Sequence, residues 1–423
     1  MVKEGYKEVR VGPKTKLIPE EWKVKKLKKV IKKRKGKRPN KLFDSKNGEN
    51  SIPYLSVNYL RGNDFPEWCS KNDDNKVEVK ENEILMIWDG SYSGNVFMGF
   101  NGALSSTMAR LKCEDDINNQ YLFYQLRNNF KIFQSTTIGT SVPHVAGKIF
   151  ENLNIPTPPK REQKKIASIL SSVDKSIEKT DKVIEETKEM KKGLMQELLT
   201  KGIGHSEFKE VRIGAKRIEI PKHWEISTVN ELTSKVQYGI SDKMYLEGQY
   251  PIFRMNNFYR GYMIDEPMKY IDLDDTEFEK YKVKKGDILF NRTNSVDLVG
   301  KNGIFTLEGD YVFASYLIRL RTNDKCDSYY LNYYLNSYNA GSILDSIATR
   351  GASQANINAK NLKSVDVPTP PIQEQKKIAS ILSSVDAKIQ KEEEYKVKLE
   401  QLKKGLMQKL LTGEIRVNTE MEV

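Results

Sequence analysis

The sequence predicts an α+β fold in which two similar globular domains are separated by two long antiparallel α-helices, a coiled coil with pseudo-two-fold symmetry. Three observations predict it: a nearly identical segment that occurs twice, a helical apolar spacing that runs on from each copy, and short β-branched and aromatic runs in the divergent stretches before them. Residues 156–174 read PTPPKREQKKIASILSSVD and residues 368–386 read PTPPIQEQKKIASILSSVD, identical at 17 of 19 positions, which excludes coincidence. Lys191–Thr200 and Lys403–Thr412 match at all but one position. Upstream, YKEVRVG with Pro19 and Trp22 recurs as FKEVRIG with Pro221 and Trp224. VKENEILM (79–86) aligns with VKKGDILF (283–290), and GTSVPHV (139–145) falls opposite GASQANI (351–357). The chain is a tandem duplication, which divides it into residues 1–155, a repeated helix at 156–204, a second domain at 205–367 and a second repeated helix at 368–423.

Each domain is justified by its own pattern. EILMIW (83–88), GDILFN (286–291) and YVFASYLIRL (311–320) read as strands separated by Gly, Asn and Asp turns. YLFYQLRNNF (121–130) and YYLNYYLNS (329–337) space their apolar residues by three and four and read as helices. Pro156, Pro158 and Pro159 enforce an extended approach, so the repeated helix starts after them. Leu170, Val173, Ile177, Ile184, Leu194 and Leu198 form the seam of the first helix, and Leu382, Val385, Ile389, Leu399, Leu406 and Leu410 that of the second. Thr180, Thr187, Glu392 and Lys396 interrupt the seam and are expected to fix register, while Gly193 and Gly405 permit close approach or a bend. Because the second domain begins where the first helix ends and leads into the second helix, the pair is expected to be antiparallel.

Composition narrows the class. Hydrophobic residues make up 38% and charged residues 30%, no stretch is apolar enough to span a bilayer, and the start carries no signal core, so a cytoplasmic protein without a membrane partner is expected. Three cysteines without CxxC spacing and three histidines far apart in sequence, without an HExxH pair, predict no metal site and no catalytic residues. The net charge is +13, and residues 1–45 hold 17 Lys and Arg against 5 Asp and Glu, so most of the excess is local. Lys23–Arg38 places Val24, Leu27 and Ile31 at helical spacing with basic residues around them and predicts a basic amphipathic helix. Such a run is either a solvated face or a phosphate-contacting element.

With these residues assembled, the sequence resembles the specificity subunits of type I restriction-modification systems. The resemblance spans the chain. It rests on two divergent domains, each closed by an IPxPPxxEQxxIAxxLxxxD approach to a long helix that ends in a GLMQxLLT-like tail, here Ile155–Asp174 with Leu194–Thr200 and Val367–Asp386 with Leu406–Gly413. It implies a non-catalytic subunit that reads a two-part sequence in double-stranded DNA with two target recognition domains. The implied partners are two modification subunits, which methylate adenine with S-adenosylmethionine, and restriction subunits that use ATP and Mg; no cofactor is implied in this chain. A specificity subunit of a fused methylase-nuclease, and a coiled-coil tether without base readout, remain as alternatives.

Under that resemblance, base-reading side chains belong on loops where the two copies align but differ. In the first domain these are Lys37, Arg38, Ser56, Asn58, Arg61, Ser91, Tyr92, Ser93, Thr140, Ser141 and His144. In the second they are Arg254, Asn256, Asn257, Arg260, Asn291, Arg292, Thr293, Asn294, Arg350, Ser353, Gln354 and Asn356. Lys32, Lys33 and Lys35 are expected on phosphates.

Overall fold

The computed structural model describes residues 4–139, 141–294, 299–351 and 354–420. They form two compact units, one of residues up to 181 together with 394 onward, the other of residues 182–393. Each long helix, Lys160–Leu198 and Ile372–Leu410, gives one part to one unit and the rest to the other. No described helix is both long and apolar enough to cross a membrane.

The first unit begins with the hairpin Tyr6–Val11 and Lys14–Pro19. Its main sheet orders the strands Ile31–Lys35, Met108–Cys113, Ile84–Ile87 and Val96–Phe97, all antiparallel. A second four-stranded sheet includes Ser51–Leu55 and Gly102–Leu104 in parallel. Helix Asn119–Asn128 buries Tyr121, Leu122, Tyr124 and Leu126. The basic run is not a helix: Lys23–Lys26 is a strand, Leu27–Lys29 a 3₁₀ turn and Ile31–Lys35 an edge strand, with Leu27, Val30 and Ile31 in the core. Like charges at helical spacing repel one another, whereas lysines on an edge strand stay solvated and block pairing with another chain.

The second unit repeats this plan with other side chains. A six-stranded sheet orders Thr233–Tyr238, Leu317–Thr322, Ile288–Asn291, Asn302–Ile304, Tyr262–Met263 and Phe258–Tyr259. The expected strand at 311–320 is two, Val312–Phe313 and Leu317–Thr322, in different sheets, because the chain turns between them and the Leu317 amide donates to the Ala314 carbonyl. The helix expected at 329–337 is Ser328–Leu335, and a second, Tyr338–Ile347, follows it.

In both units the residues before the long helix form an antiparallel strand, Asn154–Thr157 against Lys23–Lys26 and Asp366–Thr369 against Glu225–Thr228. The repeated Glu-Gln then anchors the helix. Glu162 accepts from the Trp22 indole at 3.1 Å, and Glu374 from the Trp224 indole at 3.1 Å. Gln163 accepts from the Asn118 amide and donates to the carbonyls of Asp116 and Pro158; Gln375 accepts from the Asp327 amide and donates to those of Lys325 and Pro370. Tyr121 donates to the Pro156 carbonyl and Tyr330 to that of Pro368. Both glutamines are fully buried, so each polar atom needs its partner.

The helical segments within each unit run antiparallel. In the first, Asp174 pairs with Lys403 and Asp181 with Lys396, so advancing along one helix means retreating along the other. In the second, Lys191 lies 2.5 Å from Asp386, Ile184 packs with Val385 and Ile389, and Leu198 shares a core with Leu382. Leu170, Leu399 and Leu410 are buried in the first unit, while Val173, Ile177 and Leu406 are half-buried there and Leu194 in the second. Of the residues expected to fix register, Thr180 and Thr187 are buried but donate to carbonyls of their own helix, Ser176 and Val183, whereas Lys396 pairs across with Asp181. A Cβ at Gly193 or Gly405 would touch nothing, and both helices continue through these positions without the expected close approach. The glycines that matter are Gly202 and Gly413, at φ +68° and +71°, where a Cβ would collide with Trp224 and with Pro19.

Replacing Gln375 with Ala should lower the stability of the second unit by about 1–3 kcal/mol, because the Asp327 amide and two carbonyls lose a buried partner. Denaturant unfolding measures this; an unchanged midpoint would show that water takes over the amide's role.

Candidate nucleic-acid interface

In the first unit the end of the core strand Ile84–Ile87 delivers a turn, residues 89–95, to the surface beside residues 141–144. The Val145 amide donates to the Trp88 carbonyl, the Gly90 amide to that of Pro143, and Asp89 bridges to His144. Asp89 is the hub: Lys35 Nζ lies 2.7 Å from one carboxylate oxygen and His144 Nδ1 3.2 Å from the other. Tyr92, exposed at the tip, carries the Arg61 guanidinium 3.6 Å above its ring centroid, a stacked cation held by the aromatic face. The structure thus brings together Lys35, Arg61, Ser91, Tyr92, Ser141 and His144, while Asp89 was missed although it stands in the same DGSYSGN motif.

Several expected readers are engaged elsewhere. Ser93 is buried, and Ser56 caps the short helix Val57–Leu60 by accepting from the Tyr59 amide. Asn58 stands exposed on that helix. Lys32 faces Glu114 at 3.4 Å, and Lys33 faces Glu151 at 3.8 Å with its ammonium 4.0 Å over the Trp88 ring. These partners neutralise part of the basic run, but such exposed pairs are weak and can be exchanged for phosphate. Lys37 and Arg38 follow the edge strand, without an acidic partner among the described residues. Thr140 lies outside the described residues.

In the second unit the corresponding strand Ile288–Asn291 delivers Arg292 and Thr293 to a small sheet whose strands are Thr293–Asn294, Ala355–Asn356 and Thr349–Arg350. The Ile357 amide donates to the Arg292 carbonyl, as Val145 does to Trp88 in the first unit. Asn356 donates to Thr293 Oγ1 at 2.7 Å. The Arg292 guanidinium stacks 4.7 Å from the Tyr238 ring centroid and, among the described residues, makes long hydrogen bonds, 3.4 Å to the Ser315 carbonyl and 3.5 Å to Asn356, which orient it. Arg350 pairs with Asp345, and Gln354 is exposed at the turn. Ser353 lies outside the described residues; Asn294 contributes its backbone to the sheet.

The 254–260 group has a different role. Asn257 is fully buried, accepting from the Arg254 amide and donating to the Pro267 carbonyl, so it closes a turn. Arg254 also donates to Pro267, leaving Asn256 exposed. Arg260 is paired with Glu393 at 2.7 Å and is therefore tied to the second long helix. Asn291 is buried in its strand. Sequence alone could not separate these from true surface residues, because turn closure and base reading select the same polar side chains.

Two of the histidines that are far from Glu374 along the sequence lie beside it in space: His205 and His223 meet, ring centroids 4.7 Å apart, next to that carboxylate.

Residues 19–188 and 221–401 match the family model of the type I restriction modification DNA specificity domain, once in each half. The type I restriction enzyme MjaVIII specificity subunit of Methanocaldococcus jannaschii is 35% identical over 417 residues, covering 95% of this chain and 94% of that protein. The EcoKI specificity subunit of Escherichia coli is 25% identical over 250 residues, covering 58% and 53%. The crystal structure of a type I restriction-modification S subunit from M. genitalium superimposes with a TM-score of 0.60 at 16% identity, over 92% of this chain and 96% of that one, and so shares the fold. The chain belongs to the type I restriction-modification DNA specificity family: it is a DNA-binding specificity subunit.

Replacing Lys37 and Arg38 together with Gln should weaken binding to specific and random DNA alike and flatten the dependence of log K on log salt by about 0.9 for each phosphate that is no longer neutralised. Binding isotherms across a salt series read this out, and an unchanged slope would remove both residues from the backbone interface.

Proposed function

We propose that each unit reads one part of a bipartite DNA target, and that the chain brings to it two modification subunits, one for each copy of the repeated segment. Those subunits would transfer methyl groups from S-adenosylmethionine to adenine, and restriction subunits would add ATP- and Mg-dependent translocation and cleavage. The observation that supports this reading best is a pair of equivalent positions occupied differently. Asp89 and Thr293 follow equivalent strands, and each bridges to and hydrogen-bonds with a residue of the later loop, His144 in the first unit and Asn356 in the second. One frame therefore presents a carboxylate and an imidazole in one unit, and a hydroxyl and an amide in the other. A carboxylate accepts from the cytosine amino group, whereas an amide pairs with the adenine edge, so the two sites suit different base pairs.

Arg292→Ala should relax discrimination in one half of the target by roughly 1–3 kcal/mol and leave the other half unchanged. Mapping methylated adenines in DNA treated with the reconstituted modification complex tests this. Equal loss in both halves would mean that Arg292 supports the complex as a whole and reads no base.

A further inference from the structure

The second unit holds a side-chain cluster that base reading does not use. His205 Nε2 lies 2.6 Å from Glu374 Oε1 and His223 Nε2 3.7 Å from Glu374 Oε2, with one ligand atom from each residue within 4.8 Å of the others. The chain contains three histidines in all, so two meeting at one carboxylate is not the by-product of a histidine-rich surface.

The first unit shows what this place requires. There Arg416 binds both oxygens of Glu162, at 2.8 and 3.0 Å, and also pairs with Glu21. Glu162 is the counterpart of Glu374, Glu21 precedes Trp22 as His223 precedes Trp224, and Arg416 follows Gly413 as His205 follows Gly202. A permanent cation thus joins the strap after a long helix, the segment before the tryptophan and the first turn of a long helix. In the second unit imidazoles replace both the guanidinium and the outer carboxylate, yet Glu374, with a side chain 13% exposed, still needs a positive partner. That positive charge comes either from one protonated imidazole or from a cation that both imidazoles hold, and the second arrangement uses both rings.

We propose that His205, His223 and Glu374 form a binding site for a divalent transition metal ion of the zinc class, which takes the place that Arg416 holds in the first unit. Two imidazole nitrogens and a carboxylate oxygen are a set that Zn²⁺ accepts, with water in a fourth position. The His223 side chain is 50% exposed, which gives it room to swing inward and leaves that fourth position open to solvent. His205 exchanges its hydrogen bond to Glu374 for a bond to the metal. The Trp224 indole stays on Oε2 and orients the carboxylate as an outer-shell donor.

The test is a calorimetric titration of the tag-free, chelator-treated full chain with Zn²⁺, together with thermal unfolding. One ion should bind per chain, reversibly to chelator, and raise the unfolding temperature; His223→Gln should weaken binding about tenfold or more. His205→Arg recreates the arrangement of the first unit and should unfold at least as high without metal as the original chain, while no longer responding to Zn²⁺. Co²⁺ serves as a second probe, because a spectrum with thiolate charge-transfer bands would place the ion on Cys69, Cys113 or Cys326 and overturn the assignment. Absence of saturable binding, or binding unchanged in both histidine variants, would overturn it equally.

Discussion

Glu162 and Gln163, and Glu374 and Gln375 in the second copy, lie in the first turn of a long helix with side chains largely removed from water. Their polar ends are met by an indole, backbone amides and carbonyls of the domain that the helix leaves, and the glutamates also by the strap after the other long helix, Arg416 in the first unit and Ile203 with His205 in the second. A buried amide or carboxylate without these partners is strongly destabilising, so the helix can start only where the domain presents the right donors. This constraint fixes the domain to its helix within each unit, and through the domain's sheet it fixes the loops. The recurrence of the Glu-Gln pair in both copies follows from it, since a change at either residue would leave buried partners unpaired.

A frame held this firmly lets its surface vary. The turns after Trp88 and Arg292 hang from equivalent strands and are closed by an equivalent main-chain bond, from Val145 to Trp88 and from Ile357 to Arg292, yet the bridging side chains, Asp89 with His144 and Thr293 with Asn356, all differ. Main-chain hydrogen bonds do not depend on side-chain identity, so replacing Asp89 and His144 by Thr293 and Asn356 leaves the geometry standing. Aromatic faces complete each site in its own way, Tyr92 under Arg61 and Tyr238 beside Arg292.

Much of this is legible in the sequence where the physics is local or repeated. The duplication, both long helices and their antiparallel course follow from spacing and connectivity. The basic run does not, because Val24, Leu27 and Ile31 satisfy a helical period by accident; the strand partner that makes Ile31–Lys35 an edge, Met108–Cys113, lies far along the chain. The break at Ala314 is hidden for the same reason, since it arises from two sheets claiming adjacent residues. Among polar loop residues, Asn257, Asn291 and Arg260 look like readers until burial and a partner on a distant helix are known. Asp89 is the converse: a carboxylate on a surface meant for DNA is counterintuitive until Lys35 and His144 are seen against it.

The central claim is that one anchored frame presents two different reading surfaces, and hydrogen exchange of the full chain with and without its cognate DNA tests it most directly. Protection is expected in two sets of amides, at 35–38, 89–95 and 138–144 in the first unit and at 292–294 and 349–356 in the second, with the 254–260 turn and the middle of both long helices unchanged. Protection confined to the long helices, or to one unit alone, would contradict the account.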